Sequence, residues 1–331
     1  MIWIQFLAAS LVIVFAGLRL ARYGDVLGEK MGLGRSWAGL VLLAATTSVP
    51  ELFTGFGATA LAALPDIAIG DVLGSCMFNL LILSFMDAIQ PEPISARAHQ
   101  GHALSIGFGL LLISVAGLGL LAGDRLRAVG GIGVTTPVLI VLYFVAMRVV
   151  FAHEQHARAR ETREVAEELH YAGTPLTTAL LHYVIAALLV VGAALFLPGL
   201  GAEIARQTGL GDAFVGSLFI AITTSLPEIV VSLTAVRIGA IDLGIGNVLG
   251  SNLFNLLILG LDDVFYRQGS LLAAAAPSHS VAVVAVVAMY GLFLTGLTYR
   301  VLTKRFVVAW DTGGIAVVYV AAVALTYLLR S

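Results

Sequence analysis

Charge is what this chain has least of: only 11% of its 331 residues are Asp, Glu, Lys or Arg, while 59% are hydrophobic. Soluble globular chains carry about 25% charged residues, so the deficit excludes a water-soluble domain and leaves a polytopic membrane protein. Neither sign dominates. Lys and Arg total 18 against 20 Asp and Glu, a net charge of −2, so no basic face is available to meet nucleic-acid phosphates. Cysteine is nearly missing as well: Cys76 stands alone, which excludes an internal disulfide framework and leaves the redox compartment unread. The first apolar run, Met1 to Leu20, lacks the basic start of a secretory signal, since Arg19 and Arg22 come at its far end. It is expected to be a transmembrane helix. No organellar presequence is evident and the loops are compact, so the expected location is a prokaryotic plasma membrane.

Segments near the length that crosses a bilayer, about 20 residues, lie at about 2–20, 36–63, 66–88, 101–122, 131–151, 176–197, 213–238, 241–261, 278–297 and 312–329. The expected fold is therefore an all-α membrane protein of ten transmembrane helices. Residues 1–151 and 176–331 form two five-helix repeats, joined by a short cytoplasmic linker at 152–175. The linker mixes both signs; His153 and His156 within it fit a solvated connection better than a metal sensor. Among the basic residues only Arg125, Arg127, Arg206, Arg267 and Arg330 fall outside if both termini are outside, and the rest then lie in inner loops, as the positive-inside bias requires.

An internal repeat organises the chain. Gly39 to Leu83 reads against Gly216 to Leu259, with Asp66 to Ser75 (DIAIGDVLGS) matching Asp242 to Ser251 (DLGIGNVLGS). Each half has an odd number of spans, so the copies insert with opposite topology. Inverted repeats with interrupted helices that meet at the midplane are a transporter architecture.

The centre of each copy is a polar break: Ala45 to Glu51 (ATTSVPE) and Ile222 to Glu228 (ITTSLPE). Proline removes one backbone N–H and clashes with the carbonyl four residues back, so helices 2 and 7 are expected to be broken. A carboxylate at that depth faces protein or a water-filled path, not lipid. Thr47 and Glu51, and likewise Thr224 and Glu228, are four apart and share a helix face. The following spans carry polar stripes at i, i+4 and i+8: Asp71, Ser75, Asn79 and Asn247, Ser251, Asn255. Folding these helices together would collect three carboxylates (Glu51, Glu228, Asp71), one amide (Asn247) and several hydroxyls. That set suits a hard cation such as calcium. Histidine and thiolate, which zinc or copper prefer, are missing from it.

Other polar residues are expected to be structural. Gly70, Gly74, Gly246 and Gly250 form small-xxx-small pairs for close helix packing. Asp66 and Asp242 start their helices as N-caps. Asp87, Asp262 and Asp263 lie near helix ends, where carboxylates reach water. His99, His102 and His182 have no paired carboxylate motif and no expected role, and Cys76, where the second copy has Asn252, is a packing residue.

At the two motifs the chain resembles the cation/calcium exchanger superfamily, sodium/calcium exchanger branch, which carries Gly-Thr-Ser-Leu-Pro-Glu and Gly-Asn/Asp-x-x-Gly-Ser-Asn in each of two inverted repeats. The resemblance implies that spans 2, 3, 7 and 8 form an ion core. Thr47, Ser48 and Glu51 with Thr224, Ser225 and Glu228 would line the sites, Asp71 and Asn247 would complete them, and Ala44 and Ala221 would lend backbone carbonyls. Spans 1 and 6 would slide across this core. Four departures are visible, the first being Val49 in place of leucine in the first copy. Thr46 and Thr223 replace the leading glycine, and Cys76 replaces one closing asparagine. Asp71 and Asn247 exchange the family's usual order of amide and acid. The implied function is an antiporter, not an enzyme, exchanging Ca2+ for Na+ without a cofactor or an obligatory protein partner; the alternative is a Ca2+/H+ antiporter of the same superfamily. An intramembrane aspartyl protease needs two acids sharing a proton, and Asn247 at the matched position cannot be the second.

Overall fold

The computed structural model describes residues 1–30, 44–125, 128, 130–161, 173–300 and 303–329. Ten principal helices follow in order: α1 (Ile2–Lys30), α2 (Val49–Phe56), α3 (Pro65–Ala88), α4 (His102–Ala122) and α5 (Thr135–Glu161), then α6 (Leu176–Thr208), α7 (Leu226–Arg237), α8 (Ile241–Phe265), α9 (His279–Tyr299) and α10 (Trp310–Leu328). Among the described residues eight helices are long and apolar enough to cross a membrane, and the bent pair Asp212–Thr224 and Leu226–Arg237 is a ninth candidate when counted as one span. The start of the second expected span, residues 36–43, lies outside the described residues, as does 162–172 of the expected linker. The helical turn at 44–47 breaks at Ser48, and the chain continues as α2 and a π-helical turn, Gly57–Leu61.

Three helices overrun their expected ends. α1 reaches Lys30, α5 reaches Glu161 and α6 reaches Thr208, with Pro198 inside the last. Apolar runs stop at the first charges, but helical hydrogen bonding does not, and membrane helices tolerate an internal proline.

The layering follows from composition. The hydrophobic window of α3 is wholly buried and that of α8 nearly so, whereas α1, α4, α5 and α6 keep most of theirs on the outside. Ile4 on α1 and Leu188 on α6 are 73% and 67% exposed, an apolar outer surface that only a bilayer covers without loss. The polar stripes of α3 and α8 thus sit on the most enclosed helices of the protein.

Glycine sets the closest crossing. A Cβ on Gly70 would stand 2.9 Å from the Ser217 amide nitrogen, one on Gly74 2.6 Å from Ser217 Cα, and one on Gly216 2.9 Å from the Ile67 carbonyl. α3 and the π-turn Gly216–Ile220 therefore touch backbone to backbone, the close packing expected of small-xxx-small pairs. Backbone atoms cannot step aside, so Gly74→Ala is expected to destabilise the protein by about 1–3 kcal/mol, the usual effect of overpacking. A fall in the thermal unfolding temperature of purified protein checks this.

Asp66 and Asp242 do not cap their own helices; neither α3 nor α8 has a side-chain cap. Each instead clasps the other half. Asp66 Oδ1 accepts from the Ala276 amide at 2.7 Å and lies 3.0 Å from His279 Nε2, at the start of α9. Asp242 Oδ1 accepts from the His99 amide at 2.8 Å and lies 2.9 Å from His102 Nε2, at the start of α4. His102, without an expected role, is thus a hydrogen-bonding partner of Asp242. These clasps mark the two ends of the bundle, here termed the Asp66 end and the Asp242 end.

Asp87 and Asp263 are not interfacial; they are 0% and 1% exposed. Asp87 accepts from the Ile94 amide (2.9 Å), the Ala309 amide (2.7 Å) and Thr312 Oγ1 (2.8 Å), and pairs with Lys304 Nζ at 3.0 Å. Asp263 accepts from the Gly133 amide (2.7 Å), Thr136 Oγ1 (2.5 Å) and the Leu271 amide (2.5 Å). Orphan amides at the starts of α10 and α5 supply the donors that water would otherwise supply. Asp262 is also buried, at 0% exposure, and is treated below.

Candidate functional site

Both breaks lie at the level where α3 and α8 cross. Ser48 and Ser225 leave the helical region with nearly identical backbone angles, φ −87° and ψ 12° against φ −87° and ψ 7°. The second break bends its helix by 46°. Pro50 and Pro227 sit just after, in the first turn of α2 and α7. Their missing N–H leaves the carbonyls of Thr46 and Thr223, four residues back, without a helical donor.

The two halves serve each other's acids. Ser225 Oγ donates to Glu51 Oε1 at 3.0 Å, and Ser48 Oγ donates to Glu228 Oε1 at 3.2 Å. Thr224 Oγ1 donates to Asp71 Oδ1 at 2.9 Å. Ser251 Oγ reaches Glu228 Oε1 at 3.5 Å and Thr47 Oγ1 at 3.4 Å, and Ser75 Oγ reaches Thr224 Oγ1 at 3.4 Å. Glu51, Asp71 and Glu228 are all 0% exposed. Each carries one oxygen, Oε2, Oδ2 and Oε2 respectively, that accepts no hydrogen bond from the protein. Among the described residues, Arg206–Glu203 and Lys304–Asp87 are ion pairs, and His102–Asp242 and His279–Asp66 are hydrogen-bonded pairs. None of them offsets this acidic group.

The carboxylates meet through hydroxyls and not edge to edge. Among the described residues no three His, Cys, Asp or Glu side chains stand close enough to hold a metal ion by themselves. A cation here would draw on hydroxyl, amide or carbonyl oxygen in addition, which is ordinary for hard ions. Asn247 contributes differently from Asp71. Its Nδ2 donates to Ser232 Oγ at 3.1 Å, and Oδ1 is left free. Both polar atoms of Asn79 and of Asn255 are likewise unpartnered and buried.

Two expectations need adjustment. The Ala44 carbonyl accepts from the Ser48 amide and Thr47 Oγ1, both at 3.1 Å, and the Ala221 carbonyl accepts from the Ser225 amide at 3.1 Å and Thr224 Oγ1 at 3.2 Å. Both carbonyls are engaged in the breaks themselves. The freed carbonyls belong to Thr46 and Thr223, which proline position alone would have indicated. Their side chains point elsewhere: Thr46 Oγ1 lies 3.5 Å from Tyr183 Oη of α6, and Thr223 Oγ1 lies 3.2 Å from Ser10 Oγ of α1. A Cβ on Gly17 of α1 would stand 2.7 Å from Pro227 Cγ, so α1 rests directly on the second break. Across the halves, Asn252 Nδ2 donates to the Cys76 carbonyl at 3.1 Å, a close contact between α8 and α3 that includes Cys76 in the packing.

The sequence pattern described as "Sodium/calcium exchanger protein" matches residues 1–152 and 178–328. This chain belongs to that family. Inner membrane protein YrbG of Escherichia coli is 28% identical over 253 residues, 76% of each chain. In three dimensions the protein resembles the H+/Ca2+ exchanger CAX, with a TM-score of 0.72 at 14% identity over 99% of this chain and 86% of that one. It also resembles the sodium-calcium exchanger NCX_Mj, with a TM-score of 0.62 at 21% identity over 98% and 99%. Those identities speak for the fold. As a member of the exchanger family the chain is an integral, multi-pass membrane protein.

Proposed function

We propose that the chain is a secondary antiporter that exchanges Ca2+ for Na+ by alternating access to a midplane site. The carrying observation is the crosswise pairing of Ser225 with Glu51 and of Ser48 with Glu228, each glutamate keeping a free oxygen. A cation drawn to those oxygens would recruit both halves at once, so loading the site changes how the halves fit. Thr47, Ser48, Glu51, Asp71, Thr224, Ser225 and Glu228 are the proposed ligands, with Asn247 through Oδ1. Ala44 and Ala221 would join only if the breaks repack, whereas the Thr46 and Thr223 carbonyls already lack helical donors. Three buried negative charges suit one divalent ion or several monovalent ions competing for one space. Crossing with the charges uncompensated is costly in hydrocarbon, which suppresses leak.

The proposed architecture is ten crossings in two inverted halves, 1–151 and 176–331, joined by the linker 152–175. The matched clasps of Asp66 and Asp242, at opposite ends of the bundle, support it. α1 and α6 are the proposed sliding pair, supported by the contacts of Ser10, Gly17 and Tyr183 with the breaks. Both termini outside, in a prokaryotic plasma membrane, is the proposed setting, supported by the Lys/Arg bias and the bacterial relative. The lipid bilayer, Ca2+ and Na+ are the only partners the reading needs, and it needs no cofactor.

A second reading, Ca2+/H+ exchange, is favoured by one observation: none of the ion pairs named above involves Glu51, Asp71 or Glu228, so protons would neutralise these acids equally well. Sodium-loaded proteoliposomes of purified protein decide between them. Radioactive calcium uptake driven by the sodium gradient supports the first reading. Uptake driven only by a pH gradient supports the second, and no calcium flux from folded protein under either gradient overturns both.

A further inference from the structure

α8 carries two adjacent acids with opposite fates. Asp263 accepts three hydrogen bonds, from Gly133, Thr136 and Leu271. Asp262 is 0% exposed, and neither of its carboxylate oxygens accepts any. A buried carboxylate with no partner is among the costlier things a protein can hold. Nothing in the packing of α8 calls for it, because Met86 fills the matched position on α3 in the first half, with its Cε 2.8 Å from where a Gly244 Cβ would stand.

Its direction is informative. Asn247, Ser251, Asn255 and Asp262 follow at i, i+4, i+8 and i+15, which in a helix of 3.6 residues per turn is a single face. Asp262 thus extends the polar stripe about 10 Å beyond Asn255, at 1.5 Å per residue, towards the Asp66 end. On the facing helix α2, a methyl at Gly55 would collide with both Asp262 oxygens. Gly55 lies one turn beyond Glu51 on the same face, and its neighbour Thr54 is buried with Oγ1 unpartnered. One step further out, Phe56 and Phe265 meet edge to face at 5.1 Å between ring centroids, between Asp262 and the end of the bundle. The second half offers no equivalent: Ser232, at the position matching Gly55, takes the Asn247 amide at 3.1 Å.

We propose that Asp262, with Thr54, is a transit site for the transported cation between the central acidic group and the Asp66 end, present on that side only. This rests on the exchange reading above. The free oxygens, the glycine that makes room for them, and the stripe that leads inward line up from a buried acid to the central group, with an aromatic pair beyond the acid. A single-sign cleft raises the local concentration of its counter-ion by about 10-fold or more. The exchanger would therefore be asymmetric: cations would reach the centre more readily from the Asp66 end at low concentration.

The test uses full-length protein in proteoliposomes of single orientation, with the half-saturating calcium concentration measured separately on each face. Asp262→Asn and Asp262→Met are expected to raise it about tenfold at the Asp66 end, leaving the Asp242 end and the maximal rate unchanged. Gly55→Ala, which pushes the carboxylate aside while keeping it, is expected to shift the same face. Melting temperature and elution profile show that each variant is folded. An equal shift on both faces, or none on either, overturns the proposal while wild-type flux keeps the exchange reading intact. Wild-type protein without calcium flux overturns both.

Discussion

Glu51→Gln and Glu228→Gln are each expected to reduce calcium exchange by about 100-fold or more, in protein that still folds. Each substitution keeps the size of the side chain and one acceptor oxygen, so the hydrogen bond from Ser225 or Ser48 survives. What disappears is a unit of charge and an anionic ligand. Losing one charge-assisted contact in an enclosed site costs about 3 kcal/mol, and every 1.4 kcal/mol is a factor of ten. The serines give a sharper check. Ser48→Ala and Ser225→Ala remove a hydrogen bond to a charged group, worth about 1.5–3 kcal/mol, so a loss of about tenfold or more is expected from each. The geometry fixes which pairs are coupled. Ser48 touches Glu228, 180 positions away, and not Glu51 three positions away. In double-mutant cycles on calcium affinity, Ser48→Ala with Glu228→Gln is expected to be strongly non-additive, as contacting residues are. Ser48→Ala with Glu51→Gln is expected to be closer to additive. The reverse pattern would mean that each half binds its own cation, and that the crosswise pairing is incidental.

How much of this was legible beforehand depends on what kind of information each contact needs. The breaks were visible because a carboxylate and a proline inside an apolar run stand out without any knowledge of partners. Glu51, Glu228, Asp71, the hydroxyls beside them and the inward stripes of α3 and α8 could all be named from spacing. Which serine serves which glutamate could not, because a repeat identifies matched positions and says nothing of who faces whom. The same limit explains Asp66 and Asp242. Their place at the first turn suggested local capping, whereas their donors come from Ala276 and His99 in the other half. Asp87, Asp262 and Asp263 were misread for a different reason: distance from a helix end was used as a proxy for water. Helix starts and interhelical segments fold over those ends; at Asp87 and Asp263 their amides take the place of solvent, whereas Asp262 is enclosed with no donor. Asp262 did leave a signal, since it shares the face of Asn247, Ser251 and Asn255, but at i+15 it falls outside any local motif. Helix overruns such as Thr208 of α6 are invisible to a criterion that ends each span at the first charge.

Asp87→Asn is expected to destabilise the protein by about 3–5 kcal/mol, the usual result of removing one partner from a buried ion pair. Asp87 is fully enclosed and holds three elements at once: its own loop through Ile94, the start of α10 through Ala309 and Thr312, and Lys304 from the preceding segment. Lys304 Nζ also donates to the backbone carbonyls of Asp87 and Gln90, so its ammonium is committed to this place. An amide at position 87 would leave that charge without a counter-ion in a site where it cannot leave for water. Asp263 is the discriminating comparison. It occupies the matched position and accepts the same kinds of donors, two amides and a threonine hydroxyl, but no cation pairs with it among the described residues. Asp263→Asn therefore weakens charge-assisted hydrogen bonds without stranding a charge, and about 1.5–3 kcal/mol is expected. The further substitution Lys304→Met should restore part of the stability lost in Asp87→Asn, since replacing both partners by neutral groups removes the stranded charge. In the Asp263→Asn background, where Asp87 is intact, the same substitution should destabilise further, since it strands the Asp87 carboxylate. Denaturant or thermal unfolding of the purified variants in one detergent reads all four values. Equal losses at Asp87 and Asp263, with no rescue by Lys304→Met, would mean that the hydrogen bonds carry the anchoring and the ion pair adds nothing to it.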